Sequence, residues 1–304
     1  MNYITYIKKV QQKGFLPSGE TFRKADSGTK HTVFISDDFV IRLREHDKEI
    51  LARESDFLTK INHPLIPKVL SSGELDGIPY MIENRLPGVT IEDTWGNLPD
   101  EEQRALIEDF VGFLNYLRSQ NFAFCYSVTT GKKYGNFYEL LTDGLESKLR
   151  TIRNFETAIG LLKSLHADIM EGRDSFSSSP KALVHGDLIF HNLLTRNGRL
   201  SGVLDWELAL IGDPDYDIFR LMNFQRSAKL YLDRGDDRNF EHGYLTELLN
   251  MIRATKIVDF NNPDFIAKYR VCRAIYYTDA LCWAVNSDSP NKNIQEVIAE
   301  CNLK

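Results

Sequence analysis

Three oxygen-bearing side chains stand out in the stretch Leu183–Asp205, LVHGDLIFHNLLTRNGRLSGVLD. Asp187 is followed five residues later by Asn192, and Asp205 closes a second apolar run, Ser201–Leu204, after the turn Arg196-Asn197-Gly198. Asn and Gly accept the positive φ that tight turns need, so a hairpin is predicted there. Each oxygen group therefore falls at the end of a short strand-like run. Hard oxygen ligands of this kind suit Mg²⁺, which keeps several waters when it binds. An Asp, an Asn five residues on and an Asp after a hairpin have a known joint use. The first Asp orients an attacking hydroxyl, while the Asn and the second Asp hold metal on a nucleoside triphosphate. The plain alternative is a β-hairpin with solvated polar residues at its turns. His185-Gly186 ahead of Asp187, the flanking apolar runs and the position of Asp205 favour the catalytic reading.

HGDLIFHN followed by VLDWELALIGDPDYDI resembles the aminoglycoside phosphotransferase family, the small-molecule branch of the protein-kinase-like fold. The resemblance implies Asp187 as catalytic base and Asn192 and Asp205 as Mg²⁺ ligands. Asp213-Pro214-x-x-Asp217 also matches the family's pattern after the metal Asp. The match is specific over 183–217, weaker over the N-terminal third and without detail after about residue 225. It implies a supporting role for His185, bonded to backbone near the metal Asp, and a bracing role for Asp217 at the catalytic loop. His191 is expected beside the site or at the surface. Glu207 is expected to cap a turn or, less directly, to bind a second metal.

The elements that must position these residues can be read upstream. Residues 3–13 carry Ile4, Ile7 and Val10 at helical spacing. Phe22–Ala25, Thr32–Ile35 and Phe39–Arg44 read as an antiparallel meander, and residues 46–61 as a helix with Ile50, Leu51, Phe57, Leu58 and Ile61 on its buried stripe. Lys68–Ser72 and Ile78–Asn84 add two strands joined by a turn at Gly73–Gly77. The expectation is an α+β, two-lobed protein-kinase-like fold. Its N-lobe has a small five-stranded antiparallel sheet with one long helix, and its C-lobe is larger and mostly helical. Pro87-Gly88 punctuates the chain, which divides it into 1–87, a nucleotide-binding lobe, and 88–304, a catalytic and acceptor-binding lobe.

Within that resemblance, the loop Ser27, Gly28 and Thr29 lies over nucleotide phosphates and donates backbone N–H groups. Only one glycine is present there, so it is no G-x-G-x-x-G. Arg42 occupies the position of the phosphate-pairing lysine, on the strand face opposite Ile41 and Leu43. Arginine keeps the charge but is bulkier and planar. Glu54 is the expected partner of Arg42, with Glu49 as competitor. The carbonyl of Asn84 and the N–H of Leu86 are assigned to the adenine.

Beyond Gly88 the character is helical: a short run after Thr90, a long helix from Pro99 to about Gln120, and helices over 137–149 and 153–171. Residues 121–136 read as an aromatic loop, and Ser175–Pro180 as a linker. Asp213-Pro214 is a helix-start signal. In the family the C-terminal helices form the acceptor pocket, where Asp236, Asp237 and Glu241 could meet ammonium groups. No long segment separates Asp205 from the following helix, whereas a protein kinase needs an activation loop there. A small-molecule acceptor is expected.

The 304 residues are 42% hydrophobic with a net charge of −6, enough for a substantial core and without the basic face of a nucleic-acid binder. Cys125, Cys272, Cys282 and Cys301 are scattered, which suggests neither a zinc site nor a disulfide framework. The N-terminus has no long apolar stretch, and no run reaches the roughly 18 apolar residues of a membrane helix. A cytoplasmic setting without membrane association is expected. The expected activity is transfer of the γ-phosphoryl of ATP or GTP, with Mg²⁺, to a hydroxyl of an aminoglycoside-like antibiotic or related hydroxylated metabolite. A kinase for an amino alcohol, sugar or amino acid stays open, as does a nucleotide-binding pseudokinase. The intact Asp187–Asn192–Asp205 set weighs against the last. The sequence leaves the nucleotide base and the oligomeric state open.

Overall fold

A computed structural model describes residues 3–14, 16–17, 19–25, 31–227, 230 and 243–302. Along the chain run α1 (Tyr3–Gln12), β1 (Arg23–Lys24), β2 (Thr32–Ile35), β3 (Phe39–Leu43), α2 (Lys48–Leu58), β4 (Val69–Leu75), β5 (Ile78–Asn84), β6 (Val89–Thr90), α3 (Ile91–Thr94) and α4 (Asp100–Ser119). There follow β7 (Cys125–Ser127), β8 (Lys133–Tyr134), α5 (Phe137–Leu141), α6 (Leu145–Ile152), α7 (Ile159–Glu171), β9 (Ala182–Val184), β10 (Leu193–Arg196), β11 (Arg199–Val203) and β12 (Leu210–Gly212). After these come α8 (Tyr216–Ser227), α9 (Gly243–Thr255), α10 (Pro263–Val285) and α11 (Pro290–Asn302).

By compactness the chain forms two units. The first comprises residues 1–106, 128–131 and 189–209; the second comprises 107–127, 132–188 and 210–304. The first unit takes in the hairpin β10–β11 from further along the chain. Strand β10 pairs with β6, Leu194 opposite Thr90 and Thr195 opposite Val89, and Val203 N–H donates to the Leu65 carbonyl at 2.7 Å. These bonds tie the hairpin, with Asn192 and Asp205 at its two ends, to the first unit. Gly88 makes the approach possible. Its φ of 126° is open to glycine, and a Cβ there would meet Ser201 Oγ at 2.5 Å and the Thr195 carbonyl at 2.6 Å.

In the first unit the sheet has strand order β1-β2-β3-β5-β4, antiparallel throughout. One face packs Ile41, Leu43, Tyr80 and Ile82 against Tyr6 and Val10 of α1. Against β4 and β5 lies α2, which buries Leu51, Phe57 and Leu58 and, on the same side, Glu54. Strand β4 is longer than expected: it continues through Leu75, and the turn is Asp76-Gly77 at φ 53° and 78°. Both central positions of such a two-residue turn need positive φ, which Asp-Gly supplies. The predicted hairpin turn at Asn197-Gly198 has the same signature, φ 54° and 67°.

The second unit holds a sheet of order β8-β7-β12-β9 and a helical core. The stretch expected as a loop over 121–136 contains β7 and β8, pieces too short to show an alternating pattern. The helix expected over 137–149 is split into α5 and α6 around Gly144, which sits at φ 75°. The helix expected from 153 starts at Ile159. At the centre lies α10, packed on α6, α7, α8 and α11. It opens on an Asn262 cap followed by Pro263, and it buries Val271, Ala274, Ile275, Leu281 and Ala284. A helix apolar on nearly every side belongs in a core. Among the described residues no helix is long and apolar enough to cross a membrane.

Candidate active site

In the first unit two of the sequence-marked residues, Glu54 and Asp205, meet at one guanidinium, that of Arg42. Alternation along β3 sends Arg42 away from Ile41 and Leu43 and toward α2. There its Nη1 donates to Glu54 Oε1 at 2.5 Å, with the carboxylate fully buried. Its Nη2 donates to Asp205 Oδ1 at 3.2 Å and lies 3.0 Å from His31 Nε2. Glu54 Oε1 also accepts the Trp206 N–H at 3.1 Å, which fixes the backbone beside Asp205. Asp205 is at φ 60°, a left-handed conformation that Asp tolerates better than most residues, and its side chain is 42% exposed. Burial works against the charge on Arg42, but Glu54, Asp205 and Glu83 more than offset it and push its pKa up. The guanidinium therefore stays ionised. Glu49 is not its partner; one position per turn decides which carboxylate of α2 faces the sheet, and that position is 54.

A second arginine was not singled out in the sequence. Arg44 lies two residues beyond Arg42 and shares its face. It is 3% exposed and donates from Nη1 to Glu207 Oε2 at 2.5 Å. The buried carboxylate of Glu207 is held by Arg44, with His31 Nε2 at 3.3 Å. Burial lowers the pKa of His31 below its usual value, against the pull of Glu207. His31, Glu54 and Asp205 bring ligand atoms within 4.8 Å of one another, but the cation already among them is Arg42.

The loop before the hairpin is built in two parts. Asn192 is buried, its N–H bonded to the Ile189 carbonyl at 2.9 Å and its carbonyl accepting from Leu204 N–H at 2.7 Å. That last bond joins the residue before β10 to the residue before Asp205. His191 is exposed. Two charges of opposite sign, Arg42 and Glu54, cancel around Asp205, and an amide oxygen and a carboxylate are hard donors that suit Mg²⁺ completed by phosphate oxygens and water. The residues present fit that ion.

In the second unit Asp217, in the first turn of α8, accepts two backbone N–H bonds: His185 at 3.0 Å on Oδ2 and Gly186 at 2.7 Å on Oδ1. Burial raises the pKa of Asp217, while the His185 ring and those two N–H groups hold it back. His185 is fully buried, and its Nδ1 accepts the Asp187 N–H at 3.1 Å. Gly186 turns between them at φ 83°. Arg220, one helical turn after Asp217, donates to Asp187 Oδ1 at 3.3 Å. The i, i+3 spacing on α8 was the signal that could have found it. Asp213 is buried, with Oδ1 accepting the Asp215 N–H at 2.8 Å and Oδ2 3.1 Å from Lys268 Nζ.

The remaining sequence-marked residues are placed as follows. Asn84 ends β5, and its Oδ1 accepts the Lys68 N–H at 2.6 Å. Leu86 is buried against Gly202. Ser27, Gly28, Thr29, Asp236, Asp237 and Glu241 lie outside the described residues.

Solved structures share this architecture. A thermostable variant of aminoglycoside phosphotransferase APH(4)-Ia, in a ternary complex with AMP-PNP and hygromycin B, superposes with a TM-score of 0.70 at 18% identity, covering 96% of this chain and 97% of that one. The streptomycin–ATP–APH(2'')-IIa ternary complex gives 0.64 at 17% identity, covering 98% and 96%. The fold is the α+β protein-kinase-like fold of these enzymes. Residues 21–252 match the profile of the phosphotransferase enzyme family, and the chain belongs to that family. Hygromycin-B 4-O-kinase of Escherichia coli is 26% identical over 166 residues, 50% of this chain and 46% of that protein. Viomycin phosphotransferase of Streptomyces vinaceus is 28% identical over 159 residues, 50% of this chain and 53% of that protein. The chain spans about half the length of the curated relatives it matches.

Proposed function

We propose that this chain is a Mg²⁺-dependent kinase that moves the γ-phosphoryl of ATP or GTP to a hydroxyl of an aminoglycoside-like antibiotic. The observation that carries the reading is the single guanidinium of Arg42 bonded both to Glu54 of α2 and to Asp205. Arg42 neutralises phosphate charge, Glu54 holds it in place, and the connector at Asn84 and Leu86 meets the base. Asn192 and Asp205 hold the metal, which when bound supplies charge neutralisation on the phosphate oxygens. Asp187 orients the acceptor hydroxyl and takes its proton, while Asp217 and His185 hold the backbone N–H groups of residues 185–187 that lead into it. Transfer of this kind passes through a loose transition state, so positioning and charge stabilisation do most of the work. Support for the acceptor class comes from the relatives, named for hygromycin B and viomycin, and from the neighbours solved with hygromycin B and streptomycin.

The test is nucleoside-diphosphate release with ATP and GTP separately, across aminoglycosides, macrolides, amino alcohols and sugars, with Asp187→Asn as blank. Stimulation by aminoglycosides is expected. Stimulation by amino alcohols or sugars alone would move the acceptor to a metabolite, and nucleotide binding without turnover on any acceptor would favour a pseudokinase.

A further inference from the structure

Arg42 and Arg44 aim at one atom. Arg42 Nη2 lies 3.0 Å from His31 Nε2, and Arg44 Nη1 lies 3.1 Å from the same nitrogen. A ring nitrogen that takes two guanidinium N–H bonds must present its lone pair, which leaves the ring proton on Nδ1. Glu207 Oε2 also approaches Nε2, at a longer 3.3 Å, and Arg44 Nη1 already bridges the two. Nδ1 itself is buried and meets no hydrogen-bond partner among the described residues. The imidazole is thus a neutral acceptor for two cations, and it keeps its own polar proton dry in that position. A buried orphan of this kind in a native fold calls for an explanation.

Two guanidinium groups converging on one acceptor is the arrangement by which proteins hold phosphate oxygens, where opposite charges add to the hydrogen bonds in a way a neutral imidazole does not. Carboxylates surround the pair: Glu54 and Glu207 lie 2.5 Å from Arg42 and Arg44, Asp205 3.2 Å from Arg42, Asp47 3.8 Å from Arg44, and the buried Glu83 faces Arg42. A divalent cation at Asp205 would offset part of that negative charge where an anionic phosphate enters. Thr32 pairs with Leu43 and Val33 with Arg42, so His31 stands just before β2, beside Arg44 and next in sequence to the β1–β2 connection.

We propose that Arg44 is a second phosphate-binding residue beside Arg42, and that His31 is a stand-in ligand whose Nε2 holds the place of a nucleotide phosphate oxygen and yields it when nucleotide binds. The proposal rests on the nucleotide-binding reading above. The competing account, in which His31 permanently braces the two arginines, gives the opposite sign for its removal.

Calorimetric titration of the full chain, with and without Mg²⁺, separates the two. The probes are ATP, inorganic tripolyphosphate and adenosine; the variants are His31→Ala, Arg44→Gln and Arg44→Lys, each checked by thermal melting. Removing the stand-in is expected to tighten ATP and tripolyphosphate binding about threefold to tenfold and to leave adenosine unchanged. Arg44→Gln is expected to weaken both phosphate probes about tenfold or more, again without effect on adenosine. Arg44→Lys, which keeps the charge and guards against a misfolded Gln variant, should fall between. Weaker or unchanged ATP binding in His31→Ala, or wild-type ATP affinity in Arg44→Lys and Arg44→Gln, would overturn the proposal while leaving the nucleotide reading intact. Failure of the wild-type chain to bind ATP or tripolyphosphate at all would remove both.

Discussion

Arg42 does with one side chain what a lysine in its place could not. Its planar fork reaches Glu54 with one nitrogen and both Asp205 and His31 with the other, whereas an ammonium is a compact point charge. Glu54→Gln keeps the shape and removes the charge. A hydrogen bond to a charged group contributes roughly 1.5–3 kcal/mol, so kcat/KM for ATP is expected to fall about tenfold to a hundredfold in steady-state kinetics. Glu83, buried on β5, carries a separate signature. Burial pushes its pKa from 4.5 up to about 7, against the pull of Arg42. Over that window the folded chain binds more protons than the unfolded one, so stability falls as pH rises through it and levels off above. Glu54, whose pKa burial likewise raises to about 7, contributes a slope of the same sign, so Glu83→Gln removes only the share of Glu83. Its melting temperature should match the wild type near pH 4 and exceed it at pH 8, where the gain is on the order of 3 kcal/mol.

At the scale of elements, α8 acts as a clamp on the loop that carries Asp187. Asp217 gives one carboxylate oxygen to each of two consecutive backbone N–H groups, and Arg220 reaches the Asp187 side chain from the next turn. Asp217→Asn offers one oxygen and one NH₂, which turns a donor toward a buried donor. The expected cost is about 2–3 kcal/mol of stability, read by chemical denaturation, together with a drop in kcat larger than any change in KM for nucleotide. The hairpin β10–β11 positions a different pair. Its two-residue turn and the Leu204–Asn192 backbone bond hold Asn192 and Asp205 at neighbouring strand ends.

At the scale of the molecule, each compact unit holds its own cluster of side chains. The Arg42–Glu54–Asp205 cluster belongs to the first, and Asp187 with Arg220 and Asp217 to the second. Asp187→Asn should therefore leave nucleotide affinity within about twofold of wild type in a binding titration. Phosphoryl transfer in the same variant should fall by about two to four orders of magnitude, the usual contribution of a positioned base. Loss of nucleotide binding in this variant would place Asp187 in a different role.

Much of the fold was legible because its signals are local in sequence. The Asn197-Gly198 turn and the period-two alternation of β3 operate over a few residues. The five strands follow from short polar turns between apolar runs, whereas the placing of β5 rather than β4 beside β3 does not. What sequence left open was whatever depends on partners far apart along the chain. Glu54 is the expected partner with Glu49 in competition, and packing of α2 on the sheet puts position 54 against Arg42. Glu207 reads as a turn residue until Arg44, 163 positions away, is found beside it. The units themselves are discontinuous, because β6 and β10 meet through backbone hydrogen bonds that carry no side-chain signal. Residue types and spacing therefore determined the family of chemistry and the strands that carry it. Which charges face one another was decided by burial, where a low dielectric makes each unpaired group costly and each pairing specific.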